Sequence, residues 1–558
     1  MTRSGRRMCR SLSATPLCCR PPDRSGDERR CWAPDLGCTM RRSTSRIDIS
    51  AMLEWFALRV ARRIVDSDYY LTRNADVASA GVDPVAHFAR HWSAAPLRAP
   101  NARMEARIYA WSPVLVAVLA MLGQSRQDIT DCFRYRINQL ATRRGFGLQL
   151  RLALALARFL AVRSASPARP SGGADTGLGS IYPVVRIGQD AVPWIDCRSI
   201  AEAGIFDFAD PEVALSAQPP TARRLCRPEL WCATIRDASI FGFAQVVSHS
   251  AFVVYEPEAD PAFRYTSRQC EFVITCFGPK GDRVLARVPQ EAGRAIDAGI
   301  LLIGRCGANY FHFLIEYATK GYIVDNASIP QDVPLILSDD LFPQEMDALK
   351  LLFPGRPFTV RKHGQRLDVK TLYVPSLMTF IPDTPDVEFW TVAAVNHASL
   401  SWLRGRVLEA APAPRTAPDR KLYLGRSAGR NIMNAAEVEA VFRRHGFEIV
   451  NPGQLSFAEQ VEAFRTARCI AGPIGAAFAN LVFASPATLV LGLVSPFAVQ
   501  FSTFASLATF AGCHYLAVPG EHGAYRPGAE TRRRSLELTH GDYRIDLDYL
   551  DTVLRTYV

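Results

Sequence analysis

Residues 469–483 read CIAGPIGAAFANLVF. Cys469 to Gly472 has the length and apolar character of a buried strand. The run breaks at Gly472, Pro473, Ile474 and Gly475, and small residues from Ala476 then open a helix. A strand feeding a helix through a turn of small residues is the building unit of doubly wound α/β sheets. Small residues let a ligand approach the backbone. The helix N-terminus adds N–H groups and the positive end of a dipole, which suits phosphate. The same residues also read as a plain tight turn.

The flanking segments keep this rhythm. RKLYLGR (420–426) is a strand, and Asn434 to His445 is a helix with Asn434 as N-cap and Glu437 completing an approximate capping box. Gly446 ends that helix. FEIVNP (447–452) is a strand, and Ser456 to Thr466 is a helix capped by Ser456 and Glu459. TLVLGLVS (488–495), a helix over Phe497–Ala511, HYLAVPG (514–520) and a closing helix over Leu547–Tyr557 follow. Upstream, EFVITCFGPKGDRVLARV (271–288) reads as a hairpin. Strands at Ile300–Ile303, Pro334–Leu337 and VKTLYVPS (369–376) then alternate with helices at Asn309–Val324, Pro343–Phe353 and Asp386–Leu408. Such alternation predicts parallel sheets covered on both faces. Two such units in tandem predict an α/β protein with two Rossmann-like domains, a ligand cleft lying at the strands' carboxyl ends.

The organisation follows from composition. Residues 1–46 hold eleven Arg and five of the fourteen Cys and read as a disordered tail, with Met40 and Met52 as possible later starts. Residues 47–165 read as helical. The Ser/Gly/Pro-rich stretch 166–180 is a linker. Residues 181–410 and 411–558 form the first and second Rossmann-like domains. Within 47–165, the apolar part of Ile108–Ser125 is too short for the roughly 20 residues of a spanning helix. Phe146–Val162 carries Arg151 and Arg158 and suits either a membrane surface or its own domain.

The net charge of +11 is placed mostly in the tail, which carries +7. Lys is rare, at six against 59 Arg, so Arg abundance reflects coding bias and a nucleic-acid partner is not expected. The Cys show no CxxC pair and the His no paired metal-ligand spacing, so neither a disulfide framework nor a zinc site is expected. A reducing compartment fits best. There is no G-x-x-x-x-G-K-[ST] loop and no G-x-G-x-x-G.

Candidate chemistry collects at two places. Arg426 and Arg430 stand at or just beyond the end of a strand, where Arg holds a diphosphate bidentately. Lys421, at the strand's start, is expected to be solvated. In GRCGANYFHFLIEYATK (304–320), Asn309 caps a helix on which His312 and Glu316 share one face. An imidazole or carboxylate there can take a proton from a hydroxyl. An ordinary capped amphipathic helix has the same pattern.

Together NYFHFLIE (309–316), VKTLYVPS, RKLYLGRSAGRNIMN (420–434) and GFEIVNPGQLSFAEQVEAFRTARCIAGPIGAAFANLVF (446–483) resemble, in order, glycosyltransferase family 61. One position departs: many relatives have His in the turn, where this chain has Ile474. The resemblance implies a GT-B fold and inverting transfer of a sugar from a nucleotide-diphosphate sugar to a hydroxyl, with no cofactor and no metal. It implies Glu316 as base, with His312 orienting it or acting itself, and Asn309 near the acceptor. Arg426, Arg430, Gly472, Pro473, Gly475 and Ala476 would hold the donor, with Asn480 either facing the cleft or bonded internally. Glu459 is expected to cap its helix. Asp546-Leu-Asp548 resembles the DxD metal motif of some sugar transferases, but it opens the last helix, where Asp is a capping residue. DSDYYLTRNADVASAGVDPVAHFARHW (66–92) resembles a module attached to bacterial surface-polysaccharide enzymes. A glycan or lipid-linked glycan acceptor follows, in the cytoplasm or at the inner membrane's cytoplasmic face. A non-catalytic assembly protein of the same fold, or another nucleotide-sugar enzyme such as an epimerase, remain the competing readings.

Overall fold

The computed structural model describes residues 57–91 apart from 63, and 180–558 apart from stretches that include 256–273, 305–308, 379–394, 427–431 and 526–541. The tail, both apolar stretches between 108 and 162, and Arg430 therefore lie outside the described residues. The fold is mixed α/β, with one sheet of eleven strands, one of six and a separate pair. Among the described residues no helix is long and apolar enough to cross a membrane.

The module near the N-terminus folds as three short helices, Ser67–Arg73, Ala75–Ser79 and Pro84–His91. Asp66 caps the first by accepting from the Tyr69 N–H, and Tyr70 is buried against Phe88 with its ring edge-on at 5.9 Å. Contrary to the expectation of no paired His spacing, His87 and His91 stand four apart on one helix, with ring centroids 4.7 Å apart. No group of three or more potential metal ligands forms among the described residues.

The larger sheet is mixed, not the purely parallel sheet of a Rossmann unit. Its parallel part runs β3 (Phe358–Arg361), β2 (Leu335–Ser338), β1 (Arg294–Leu301), β4 (Leu367–Pro375). Beyond β4 the long strand Leu230–Phe241 pairs antiparallel, and further strands from 180–286 complete the sheet. Among them Ile274–Phe277 and Arg283–Ala286 form the expected hairpin.

The smaller sheet is parallel throughout: β6 (Glu448–Val450), β5 (Arg420–Leu424), β7 (Ala467–Pro473), β8 (Leu489–Val494), β9 (His514–Pro519). Read in chain order this is 2-1-3-4-5, so the winding reverses between β5 and β7. A crevice opens at the strand ends at such a reversal. The sixth strand is unexpected: Glu212–Val213, from far upstream, pairs parallel with β9. Tyr549 and Tyr557 of the closing helix bind this strap, the first donating to the Ala214 carbonyl and the second accepting from the Leu215 N–H.

One apolar core joins the two sheets. Phe504 of the helix Thr503–Phe510 meets Phe311 on one side and Phe478 on the other, with centroids 5.5 and 5.4 Å away. Helix ends follow local chemistry in part. Ser456 and Glu459 form the full capping box, and Gly446 takes a φ of +79° after its helix. Asn434 does not cap its helix through its side chain. Its amide bonds Ile545 in both directions, donating to the carbonyl at 2.8 Å and accepting from the N–H at 3.0 Å. Tertiary pairing there outcompetes the local bond. Lys421 is not simply solvated either: half-buried, its ammonium donates to the His445 carbonyl and lies over the Phe447 ring. The long helix expected from Asp386 is described only as His397–Ala410, capped by Asn396. The helix expected from Phe497 begins at Thr503.

Candidate functional site

A cavity of ≈ 270 Å³ lies at the winding reversal of the parallel sheet. Leu424 ends β5 and Gly425 and Arg426 follow it, Asn451 to Gly453 follow β6, and Pro473 ends β7 with Gly475, Ala476 and Ala477 after it. Tyr310, Phe342 and Gln344 enter from the other half of the molecule.

The sequence builds this wall through backbone contact. Gly472 has a φ of +155°, and a Cβ there would lie 2.9 Å from the Leu424 carbonyl oxygen. No other residue lets β7 run so close to the end of β5. A Cβ on Gly475 would meet the Arg426 guanidinium at 3.1 Å, so that side chain lies directly on the turn. Arg426 also donates to the Ile474 carbonyl at 3.4 Å. Burial pushes its pKa down from the ordinary value. The side chain nonetheless keeps exposed surface, so an incoming anion can reach it. Ala476 starts a 3-10 helix running to Phe483, where a regular α-helix was expected. Ile474, at the departing position of the turn, is buried and contributes no polar group to the cavity.

Asn480 faces inward. Tyr310 donates its hydroxyl to Asn480 Oδ1 at 2.7 Å, Asn480 Nδ2 donates to Gln460 Oε1 at 2.7 Å, and Gln460 donates to the Leu455 carbonyl at 3.2 Å. This chain of side chains ties the first half of the protein to the back of the cavity. Burial raises the Tyr310 pKa far above its ordinary value, so the hydroxyl is a fixed donor.

Tyr310 opens the helical stretch 310–326. Asn309 caps it by accepting from the Phe311 N–H at 2.9 Å. The stretch is not one regular helix: Phe313–Tyr317 is a π turn and Ala318–Lys320 a 3-10 turn. π turns within helices collect at functional sites. Inside this one, His312 Nδ1 lies 2.5 Å from Glu316 Oε2. The Glu316 side chain has no exposed surface, whereas His312 keeps 12%. Glu316 as placed therefore offers no surface to a ligand, but it can hold the partly exposed imidazole of His312. Neither residue lines the cavity; both follow Tyr310, which does.

Two residues cap their helices as expected. Glu459 takes its Ser456 cap and Asp546 accepts from the Tyr549 N–H as the N-cap of Leu547–Tyr557. Phe342, Gln344, Asn451 and Gly453 were missed because their closeness comes from pairing segments more than 100 residues apart.

Glu345 stands behind Phe342. It is fully buried and accepts from the Phe342 N–H at 2.9 Å through Oε2, while Oε1 has no partner among the described residues. Burial pushes its pKa up from 4.5 to about 7. A carboxyl raised in the folded state stabilises fully below its unfolded pKa, and that contribution is lost as pH rises through the folded value. The loss amounts to about 3 kcal/mol for a shift of this size. The melting temperature is expected to fall between pH 5 and pH 8 in the wild type and to fall less in Glu345→Gln. Parallel pH profiles would remove Glu345 as the cause.

Residues 310–491 match the family described as Glycosyltransferase 61. The matched segment begins at Tyr310 and takes in His312, Glu316, Arg426 and the turn after β7. A family of this kind implies a glycosyltransferase activity in general terms. No curated protein matches the chain.

Proposed function

We propose that the protein is an inverting, metal-independent glycosyltransferase of the two-domain GT-B type. It moves a hexosyl or pentosyl group from a nucleotide-diphosphate sugar to a hydroxyl of a growing bacterial capsular, exo- or lipopolysaccharide. The observation that carries this reading is the cavity at the sheet's winding reversal, with Arg426 on one wall, lying on the turn yet open to solvent, and the His312–Glu316 helix starting from another. In this reading residues 181–410 hold the acceptor and 411–558 the donor. The protein works in the cytoplasm or at the cytoplasmic face of the inner membrane.

The chemistry follows from the placement. Glu316 accepts from His312 Nδ1–H and leaves Nε2 as base. Nε2 takes the proton of the acceptor hydroxyl as its oxygen attacks the anomeric carbon from the face opposite the diphosphate. The bond from that carbon to the diphosphate oxygen breaks, and the configuration inverts. Arg426 and the N–H groups opening the 3-10 helix meet the charge on the leaving diphosphate.

Buried, apolar Ile474 in the turn favours a second reading, a non-catalytic assembly protein that keeps the fold and binds glycan. Thermal melting of the full-length protein with a panel of nucleotide sugars, with and without EDTA, tests the proposal. A donor at about 100 times its Kd stabilises by about 2.7 kcal/mol. Donor stabilisation that survives EDTA and transfer to a glycan support the enzyme. Loss of the shift in EDTA would end the metal-free mechanism, and binding without transfer would favour the second reading.

A further inference from the structure

We propose that Phe342 is a stacking platform for the nucleobase of the donor, so that the base is held by the first half of the protein and the diphosphate by the second. This deepens the donor reading above and rests on it. The juxtaposition is specific. Phe342 is a large apolar side chain left 49% exposed, and it lines the cavity opposite the loop after β6. Apolar rings are normally covered, and one kept open on a cavity wall offers a π-face to a planar ligand.

The slot is held at a fixed width. Gln344 donates from Nε2 to the Gly453 carbonyl at 3.0 Å, bridging the two walls. Glu345 holds the Phe342 backbone from behind. Asn451 and Gln344 add amide groups at the edges, the kind of donors and acceptors that read a base edge. Arg426 takes up the remaining wall. At ≈ 270 Å³ the cavity falls just below the range of about 300–1,000 Å³ usual for ligand sites. It suits the nucleoside diphosphate, with the sugar projecting out of it.

The test compares UDP, GDP, ADP and CDP, each with and without an attached hexose, with inorganic diphosphate by calorimetry, on full-length wild type, Phe342→Ala, Phe342→Leu and Arg426→Ala. Phe342→Ala is expected to weaken the preferred nucleoside diphosphate roughly ten- to hundredfold and leave inorganic diphosphate unchanged. Phe342→Leu keeps apolar bulk without a ring face and should resemble Phe342→Ala. Arg426→Ala should weaken both ligands. If Phe342→Ala binds the nucleotide like wild type while Arg426→Ala does not, the base-stacking role fails and the donor reading stands. If Phe342→Ala weakens only the complete nucleotide sugar, the ring stacks on the sugar and the proposal is overturned. If wild type binds no nucleotide, the donor reading itself fails and takes this one with it.

Discussion

Replacing His312 by Ala is expected to lower turnover about 10²- to 10⁴-fold, the range for loss of a positioned general base. The donor that stabilises the protein in the melting assay should still bind, because His312 does not line the cavity. Glu316→Gln is the more informative variant. Glutamine has nearly the same shape but offers either an amide N–H or a neutral oxygen to His312 Nδ1, now 2.5 Å from Glu316 Oε2. A donated N–H would force the other tautomer and place the proton on Nε2, where the base must act. Turnover should fall by a similar factor. The pair should act as a unit, so the double variant should be little worse than His312→Ala. Full activity in Glu316→Gln would exclude the dyad. Full activity in His312→Ala would exclude base catalysis from this helix altogether.

Asn480→Leu should cost roughly 2–5 kcal/mol of stability, because it orphans two buried polar atoms at once. Tyr310 loses the acceptor for its hydroxyl, and Gln460 Oε1 loses its donor. Leucine has the same number and branching of side-chain heavy atoms as asparagine, so no cavity forms. Urea unfolding of the four proteins in a Tyr310–Asn480 cycle checks this. Tyr310→Phe alone should be mildly destabilising. In the Asn480→Leu background the same change should be neutral or stabilising, since it removes an already unsatisfied hydroxyl. Additive effects would show that the bond between the two halves contributes nothing measurable.

Much of the fold is legible in the sequence wherever local chemistry and tertiary packing agree. The alternation from Arg420 to Pro519 marks the parallel sheet because its strands are buried on both faces and read as continuous apolar runs. Ser456, Gly446, Asn309 and Asp546 behave as their side chains and backbone freedom dictate. Where a distant partner offers a better bond, the local pattern misleads. Asn434 has the spacing of a cap, yet it pairs with the Ile545 backbone 111 residues away. The 3-10 helix after Gly475 and the π turn around Glu316 leave no mark in an apolar pattern drawn at 3.6 residues per turn. The i,i+4 spacing of His312 and Glu316 did find the pair. Only burial shows which of the two keeps exposed surface. Arg426 was legible as the residue beyond a strand end, whereas Phe342 reads from sequence as a helix-flanking aromatic before Pro343.

The strap at Glu212–Val213 bears on how this protein can be cut. A fragment beginning near residue 411 would contain five strands of the parallel sheet and leave β9 without its neighbour. That bare edge would offer unpaired N–H and C=O groups to any passing chain, a template for edge-to-edge association. The closing helix would lose the partners of Tyr549 and Tyr557 as well. A donor-binding fragment meant to stand alone must carry residues 210–216 with it, grafted by a linker or supplied as a peptide. The covalent order of the chain therefore divides the protein in a different place from its hydrogen bonds.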